Sequence, residues 1–229
     1  MRKIGLLGGM SWESTALYYE LINREVRDRL GGLHSARCVL ASVDFHDIEH
    51  LQRTGDWHEA AQRLAEEALA LQKAGAECLL LCTNTMHKVA GEISEAIDIP
   101  LLHLADVTAG AVRAAGLSRV ALLGTRFTME ENFYLGRLAW GYVEGVVPEE
   151  PDRLIVDDII YGELVVGQIR EESRAELRRI IEGLVEEGCE GVILGCTEIE
   201  LLIGPDDVEV PVFATTALHA RAAVDYALA

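Results

Sequence analysis

Two segments of the chain place a reactive side chain directly after an apolar run. The segments are Glu77–Thr83, ECLLLCT, and Glu190–Cys196, EGVILGC, and they align without a gap at an offset of 113 residues. The alignment pairs Thr83 with Cys196. A hydroxyl and a thiol can each hold or donate a proton. On opposite sides of one small substrate, they suit the inversion of a carbon acid, in which one face of a carbon loses a proton and the other face gains one.

Two further matches keep the same order along the chain. Ile4–Gly8 resembles Val120–Gly124 at an offset of 116 residues, and Ile99–Leu102 resembles Val210–Phe213 at an offset of 111 residues. Three matches in order indicate an internal repeat, from which we predict two similar α/β lobes related by a pseudo-two-fold axis. From the repeat, the first lobe is predicted to begin with residues 1–101 and the second to contain residues 102–214.

Short apolar runs alternate with amphipathic stretches, a pattern typical of parallel sheets flanked by helices on both faces. Helices are predicted to begin after the caps Ser11 and Asp56 and at Glu171, and to end at Gly31-Gly32, Gly75 and Gly188. Because ligands bind beyond the carboxyl ends of parallel strands, we expect the active site in the cleft between the lobes. The predicted strands are Lys3–Leu7, Arg37–Val43, Cys78–Cys82, Leu101–Leu104, Arg119–Leu123, Leu154–Ile160, Gly191–Gly195 and Val210–Phe213.

The composition limits the class of partner. The chain has 229 residues, a formal net charge of −18 and 50% hydrophobic residues. This charge argues against nucleic acid or an anionic membrane as a partner, because both need a basic contact surface. No signal peptide, membrane span, dinucleotide fingerprint or P-loop is recognisable, and the five cysteines include no Cys-x-x-Cys pair. We therefore expect a cytoplasmic protein with free thiols, no cofactor and no metal site.

The two reactive segments also resemble those of a known family. Cys82–His87, CTNTMH, and Gly195–Ile199, GCTEI, resemble the two signature segments of the aspartate/glutamate racemase family, and Gly5–Ser11 resembles its first strand and loop. The resemblance covers essentially the whole chain. It implies a PLP-independent amino-acid racemase, an isomerase in which one group abstracts the α-proton while another reprotonates the opposite face. It also implies a small amino-acid substrate, a homodimer, and a C-terminal helix that packs on the first lobe, which then contains residues 1–101 plus 215–229.

The sequence departs from the family pattern at Thr83. The first cysteine of the family usually stands directly before Asn-Thr, where this chain has Thr83, with Cys82 one residue earlier. A hydroxyl is a weaker acid than a thiol, whose reference pKa is about 8.5. We therefore predict that in the faster direction Cys196, as a thiolate helped by the N–H groups that follow it, abstracts the α-proton, and that Thr83 donates a proton to the carbanion. Cys82 stays a rival to Thr83, and Thr83 could instead only cap a helix.

Candidate substrate-binding residues follow the predicted strand ends or lie near them. Amides, hydroxyls and backbone N–H groups there could hold a carboxylate, although the polar members could equally cap helices. Glu198 either orients Cys196 or Thr197, or only favours a helix N-terminus by its charge. Arg126 is a candidate counter-ion, whereas the three histidines near the motifs are assigned no role: His87, His103 and His219. The substrate-binding candidates are Met10, Ser11, Arg53, Asn84, Thr85, Thr125, Thr197 and Glu198.

The preferred substrate stays open between acidic amino acids and a broader range. By resemblance, aspartate-specific members use a basic residue after the second strand, for which this chain offers His50 or Arg53, and a lysine in the second lobe, where it has Val165. Two other functions stay open as well. One is a related isomerase or decarboxylase of the same superfamily, such as a maleate isomerase, and the other is a non-catalytic amino-acid-binding protein.

Overall fold

A computed structural model describes all residues, 1–229, and the chain divides into two compact units. The first unit contains Met1–Leu104 and Thr216–Ala229, and the second contains Ala105–Thr215. Each unit has its own parallel sheet. The first sheet has the order β2-β1-β3 and the second has the order β5-β4-β6-β7. In chain order the strands are β1 (Ile4–Gly8), β2 (Cys38–Ser42), β3 (Cys78–Leu81), β4 (Arg119–Gly124), β5 (Glu144–Val146), β6 (Val192–Gly195) and β7 (Val212–Ala214).

Helices connect the parallel strands, as parallel pairing requires. Three short 3-10 helices cover Thr85–Val89, Leu164–Val166 and Ile199–Leu201. No helix is long and apolar enough to span a membrane. The α-helices are α1 (Trp12–Leu30), α2 (Phe45–Thr54), α3 (Trp57–Lys73), α4 (Ala90–Glu95), α5 (Leu104–Ala114), α6 (Arg126–Glu130), α7 (Asn132–Trp140), α8 (Glu150–Gly162), α9 (Glu171–Glu186) and α10 (Thr215–Leu228).

The internal repeat is also a repeat of strand register. Gly5 of β1 pairs with Leu79 of β3, and Ala121 of β4 pairs with Val192 of β6. The sequence offsets of 116 and 113 residues convert the first pair into the second. The next pairing repeats in the same way, between Leu79 and Leu101 in the first unit and between Val192 and Val212 in the second. The residues that follow β3 and β6 therefore occupy equivalent positions, each within its own unit.

The predicted helix caps at Ser11 and Asp56 are confirmed. The Ser11 side chain accepts a hydrogen bond from the Ser14 N–H, and the Asp56 side chain accepts one from the Glu59 N–H. Each bond satisfies an N–H group that the first helical turn leaves without an intrahelical partner.

One predicted strand is wrong. Leu154–Ile160 belongs to α8, which has Pro151 in its first turn. Its buried residues Val156, Ile159 and Ile160 follow helical spacing, so the apolar run is one face of a helix and not a strand. The short edge strand β5 was not predicted, because three residues with one apolar side chain give no periodic signal.

The predicted strand Leu101–Leu104 is also shorter than expected. Only Leu101 pairs, in an isolated bridge with Leu79, and α5 begins at Leu104.

In the first sheet, β1 and β3 are buried on both faces, whereas the edge strand β2 is partly exposed. Leu7, Leu79 and Leu81 contribute to one apolar cluster, whereas the alternate residues Leu80 and Cys82 contribute to another, which also contains α1 and α10 side chains. A single apolar cluster in the second unit brings β4 and β6 together with α8 and α9. Because these strands are packed into the core, their carboxyl ends are held in fixed positions. The candidate site residues lie in the segments that come directly after those ends.

Candidate functional site

The segment after β3 carries the first reactive position. Thr83 lies two residues after the end of β3, with 8% of its surface exposed, and Asn84 and Thr85 are similarly buried. The Thr83 N–H donates to the Leu81 carbonyl at 2.9 Å, and its carbonyl lies 2.8 Å from His87 Nδ1. Both of these hydrogen bonds use the backbone of Thr83, and the N-cap of the following 3-10 helix is Asn84, so the Thr83 hydroxyl does not have the capping role considered from the sequence.

Cys82 packs into the apolar core of the first unit. Its side chain is fully buried among the apolar residues that include Ile4, Leu6 and Leu80, and its thiol lies 3.9 Å from the Leu80 carbonyl. Burial raises the pKa of this thiol well above its usual range. A thiol in this setting is a packing residue, so the geometry favours Thr83 over Cys82 as the reactive group.

The loop after β1 lies next to the end of β3. Gly9 has φ +91°, and a Cβ there would lie 2.2 Å from the Val43 carbonyl oxygen, so only glycine fits. The Ser14 hydroxyl donates to the Cys82 carbonyl at 3.2 Å, which joins the start of α1 to the end of β3. Of the binding candidates here, Met10 packs in the apolar core and Ser11 caps α1.

The basic candidates for the substrate side chain lie on α2. Arg53 is exposed, with 68% of its side chain accessible, and its Nε lies 3.5 Å from Glu49 Oε1. Its guanidinium also lies 3.3 Å from His50 Nδ1. Arg53 would have to leave Glu49 to bind a substrate carboxylate. In the second unit, Val165 packs against the apolar core and offers no charge.

The segment after β6 carries the second reactive position. Cys196 has 7% of its surface exposed, and its Sγ donates a hydrogen bond to Glu198 Oε2 at 3.0 Å. Burial, and then the negative charge of Glu198, raise the pKa of the thiol well above its usual range. The backbone N–H groups of Glu198 and Ile199 act in the opposite direction, as expected, but they are the smaller influence. Cys196 is therefore a thiol hydrogen-bonded to a carboxylate, where a ready thiolate was predicted.

The loop after β4 is the second unit's counterpart of the loop after β1. Thr125 caps α6, and its Oγ1 lies 3.2 Å from Thr128 Oγ1. The Arg126 guanidinium is exposed and pairs with Glu130, while the Arg126 N–H donates to Asp157 at 2.8 Å. Thr197, the residue that follows Cys196, is also buried.

No three or more His, Cys, Asp or Glu side chains lie close enough together to hold a metal ion.

Residues 7–223 match the family described as Asp/Glu/Hydantoin racemase. The chain belongs to this family. A candidate Asp/Glu racemase from Yersinia pestis is 54% identical, with a TM-score of 0.95 and 100% of both chains covered. An aspartate racemase homologue from Pyrococcus horikoshii OT3 is 33% identical, with a TM-score of 0.87 and again 100% of both chains covered. The broad specificity amino-acid racemase RacX of Bacillus subtilis (strain 168) is 22% identical over 99% of this chain and 98% of its own length.

Membership of the Asp/Glu/Hydantoin racemase family confirms the resemblance recognised in the sequence, and the fold class is confirmed with it. The contact between His87 and the Thr83 carbonyl was not predicted from the sequence. A histidine four residues after the reactive position is a weak signal, because a lone histidine is usually structural. The thiolate predicted for Cys196 is not what its surroundings favour, because burial and the charge of Glu198 stabilise the protonated thiol.

Proposed function

We propose that the chain is an amino-acid racemase that inverts the α-carbon by proton transfer between two groups, Cys196 and Thr83, without PLP. The observation that carries the proposal is the equivalence of these residues in the repeated strand register: Thr83 lies two residues after β3, Cys196 lies directly after β6, and each keeps a small exposed fraction, 8% and 7%. Family membership supports racemisation as the reaction.

The contact between Cys196 and Glu198 supplies the base. Transfer of the thiol proton to Glu198 across the 3.0 Å hydrogen bond gives a thiolate beside a neutral carboxyl group, with no change in total charge. The thiolate then takes the α-proton of the substrate. A substrate ammonium group close to the pair would favour this step, because a nearby positive charge stabilises the thiolate.

The Thr83 hydroxyl supplies the acid. It donates its proton to the opposite face of the carbanion, which completes the inversion, and it regains a proton from water while Glu198 releases one. A hydroxyl serves this role better than the reverse role, because its deprotonated form is costly. Racemisation has an equilibrium constant of one, so kcat/KM is equal in both directions, whereas kcat and KM can each differ.

The substrate carboxylate needs donors in a chain of net charge −18. Asn84, Thr85 and Thr197 are buried polar residues next to the two reactive positions, and we propose that their amide, hydroxyl and backbone N–H groups bind the α-carboxylate. For the side chain of the substrate, the exposed Arg53 and the uncharged Val165 favour a tolerant site over strict selection of aspartate or glutamate. RacX, the broad-specificity relative, is consistent with this.

A panel of single L-amino acids tests the proposal. Each is incubated with the purified protein in deuterium oxide without PLP or metal, and loss of the Cα proton is followed by NMR with the enantiomer ratio from chiral chromatography. We expect one or more amino acids of the panel, such as aspartate or glutamate, to lose the Cα proton and to be inverted. Turnover of maleate or of a substituted malonate, with no amino acid inverted, would instead establish the related isomerase or decarboxylase. Calorimetric binding without exchange would establish an amino-acid-binding protein.

A further inference from the structure

A buried histidine lies directly behind the Thr83 backbone. His87 is in the 3-10 helix Thr85–Val89 and is almost fully buried. Its ring bridges two backbone groups of the first unit: Nδ1 lies 2.8 Å from the Thr83 carbonyl, and Nε2 accepts the Leu104 N–H at 3.2 Å. The ring is therefore fixed from both sides.

These two contacts determine the proton state of His87. Nε2 faces an N–H donor and carries no proton, whereas Nδ1 faces a carbonyl oxygen and must carry one. The ring is the neutral Nδ1–H tautomer. Burial and the neighbouring rings of His103 and His219 lower the pKa of His87 well below its usual range, in agreement with this assignment. A neutral ring held between backbone groups is suited to orientation and not to proton transfer.

The Thr83 side chain takes its direction from the two peptide groups on either side of its Cα. The N–H on one side is held by the Leu81 carbonyl, and the carbonyl on the other side is held by His87. With both peptide groups held, φ and ψ of Thr83 are fixed, and so is its Cα–Cβ bond. Since a β-branched side chain has few χ1 states, fixing the backbone also restricts where the hydroxyl can lie.

The second unit holds the equivalent carbonyl differently. The carbonyl of Cys196 accepts a hydrogen bond from the Ile199 backbone N–H at 3.2 Å. A side chain performs this task only in the first unit, so a substitution there can disturb one reactive group and leave the other in place.

We propose that His87 is a positioning residue that aims the Thr83 hydroxyl at the substrate by holding the Thr83 carbonyl. The proposal rests on the proposed racemase function. It assigns His87 to the half of the reaction that Thr83 performs, and predicts that its loss slows inversion more than it slows removal of the α-proton by Cys196.

Two substitutions of His87 separate its two contacts. His87→Asn places an amide donor near the position of Nδ1 and so keeps the bond to the Thr83 carbonyl. His87→Gln places its amide near the position of Nε2, so it keeps an acceptor for Leu104 and loses the Thr83 contact. We expect His87→Gln to lower kcat for inversion at least about tenfold, with KM little changed and slow Cα-proton wash-out into deuterium oxide retained. His87→Asn is expected to keep inversion within about threefold of the wild type.

His219→Gln is the matched control. His219 is buried in the same cluster, but it contacts the Tyr18 hydroxyl at 2.9 Å and the Leu102 carbonyl at 2.7 Å and makes no contact with Thr83. We expect this control to invert its substrate at the wild-type rate. Inversion in His87→Gln equal to that in His87→Asn, or a parallel loss of inversion and wash-out, would overturn the proposal. Absence of inversion in the wild type would instead refute the racemase function.

A measurement on the wild type needs no substitution. ¹⁵N NMR of histidine-labelled protein at neutral pH reports which ring nitrogen carries the proton. The neutral Nδ1–H form of His87 is expected, and an Nε2–H or doubly protonated ring would overturn the proposal even if both variants failed to fold.

Discussion

The ends of β3 and β6 are the same position in a repeated structure, yet they carry different chemistry. At the first, a hydroxyl projects from a backbone held by a neutral histidine. At the second, a thiol is hydrogen-bonded to a carboxylate two residues away, and its backbone is held by an ordinary turn bond. The Thr83 hydroxyl and the Cys196 thiol therefore follow equivalent strands, but the acid–base properties of each depend on its own neighbours.

The comparison assigns unequal tasks to the two positions. Only at the second is a carboxylate hydrogen-bonded to the reactive group, so Cys196 is the better equipped of the two to act as a base. At the first position, the Thr83 hydroxyl is a proton donor on a fixed backbone, and no neighbouring group has been identified that would stabilise its deprotonated form. Substitutions at the two positions should therefore fail in different ways.

The largest effect is expected for Cys196→Ser. A serine hydroxyl ionises far less readily than a thiol, so Cα-proton wash-out and inversion should both fall by about 10³-fold or more. NMR in deuterium oxide measures both, with circular dichroism as the check of folding. Substantial inversion in a folded Cys196→Ser protein would remove Cys196 from the mechanism.

Removal of the Thr83 hydroxyl should separate the two activities. Thr83→Val keeps the shape of the side chain, and we expect inversion to fall about 100-fold while Cys196 still exchanges the α-proton of one enantiomer. Thr83→Cys is the matched variant, and it should retain or increase inversion because a thiol is the better acid. A folded Thr83→Cys protein that binds substrate but does not invert it would show that the hydroxyl has another task.

Neutralising Glu198 should change both the rate and the pH dependence. Glu198→Gln cannot accept the thiol proton, so inversion should fall about 10- to 100-fold. Glu198 raises the pKa of Cys196, so its removal lowers that pKa, and the pH midpoint of thiol alkylation by iodoacetamide should move to lower pH. Glu200→Gln removes the same charge two residues further on and serves as the control. An alkylation midpoint that stays in place or rises would contradict the assignment.

The smallest effect on activity is expected for Cys82→Ala. The Cys82 thiol lies in the core of the first unit, so inversion should stay within about twofold of the wild type. The small cavity should lower the free energy of unfolding by about 1 kcal/mol, measurable by urea denaturation. A loss of inversion comparable to that in Thr83→Val would return Cys82 to the reactive role.

Much of the fold was predictable because the repeat carries both the strands and their register. β1, β3, β4 and β6 were all predicted from apolar runs that match in pairs. Leu154–Ile160 was wrong because an apolar run of that length fits a strand or one face of a helix, and nothing local distinguishes them. The choice depends on α8 packing against the sheet of its unit, which is tertiary information.

The two candidate reactive residues can be named from the sequence, but their proton states cannot. Thr83 and Cys196 follow from the alignment of the two halves alone. The proton on Cys196 depends on burial and on the rotamer that brings its thiol to Glu198, and the contact of His87 depends on a turn that joins Thr83 to the next helix. Neither can be read from residue types and spacing.

The central claim is that two different groups serve opposite faces of the α-carbon. The most direct test follows early turnover of each enantiomer separately in deuterium oxide. We expect the product to carry deuterium at Cα while the unreacted substrate keeps protium, in both directions, because the group that removes the proton is not the group that returns one, and Cys196 and Thr83 exchange these roles when the direction is reversed. A product that retains the substrate's own proton would show that a single group acts on both faces, which would contradict the assignment of Thr83.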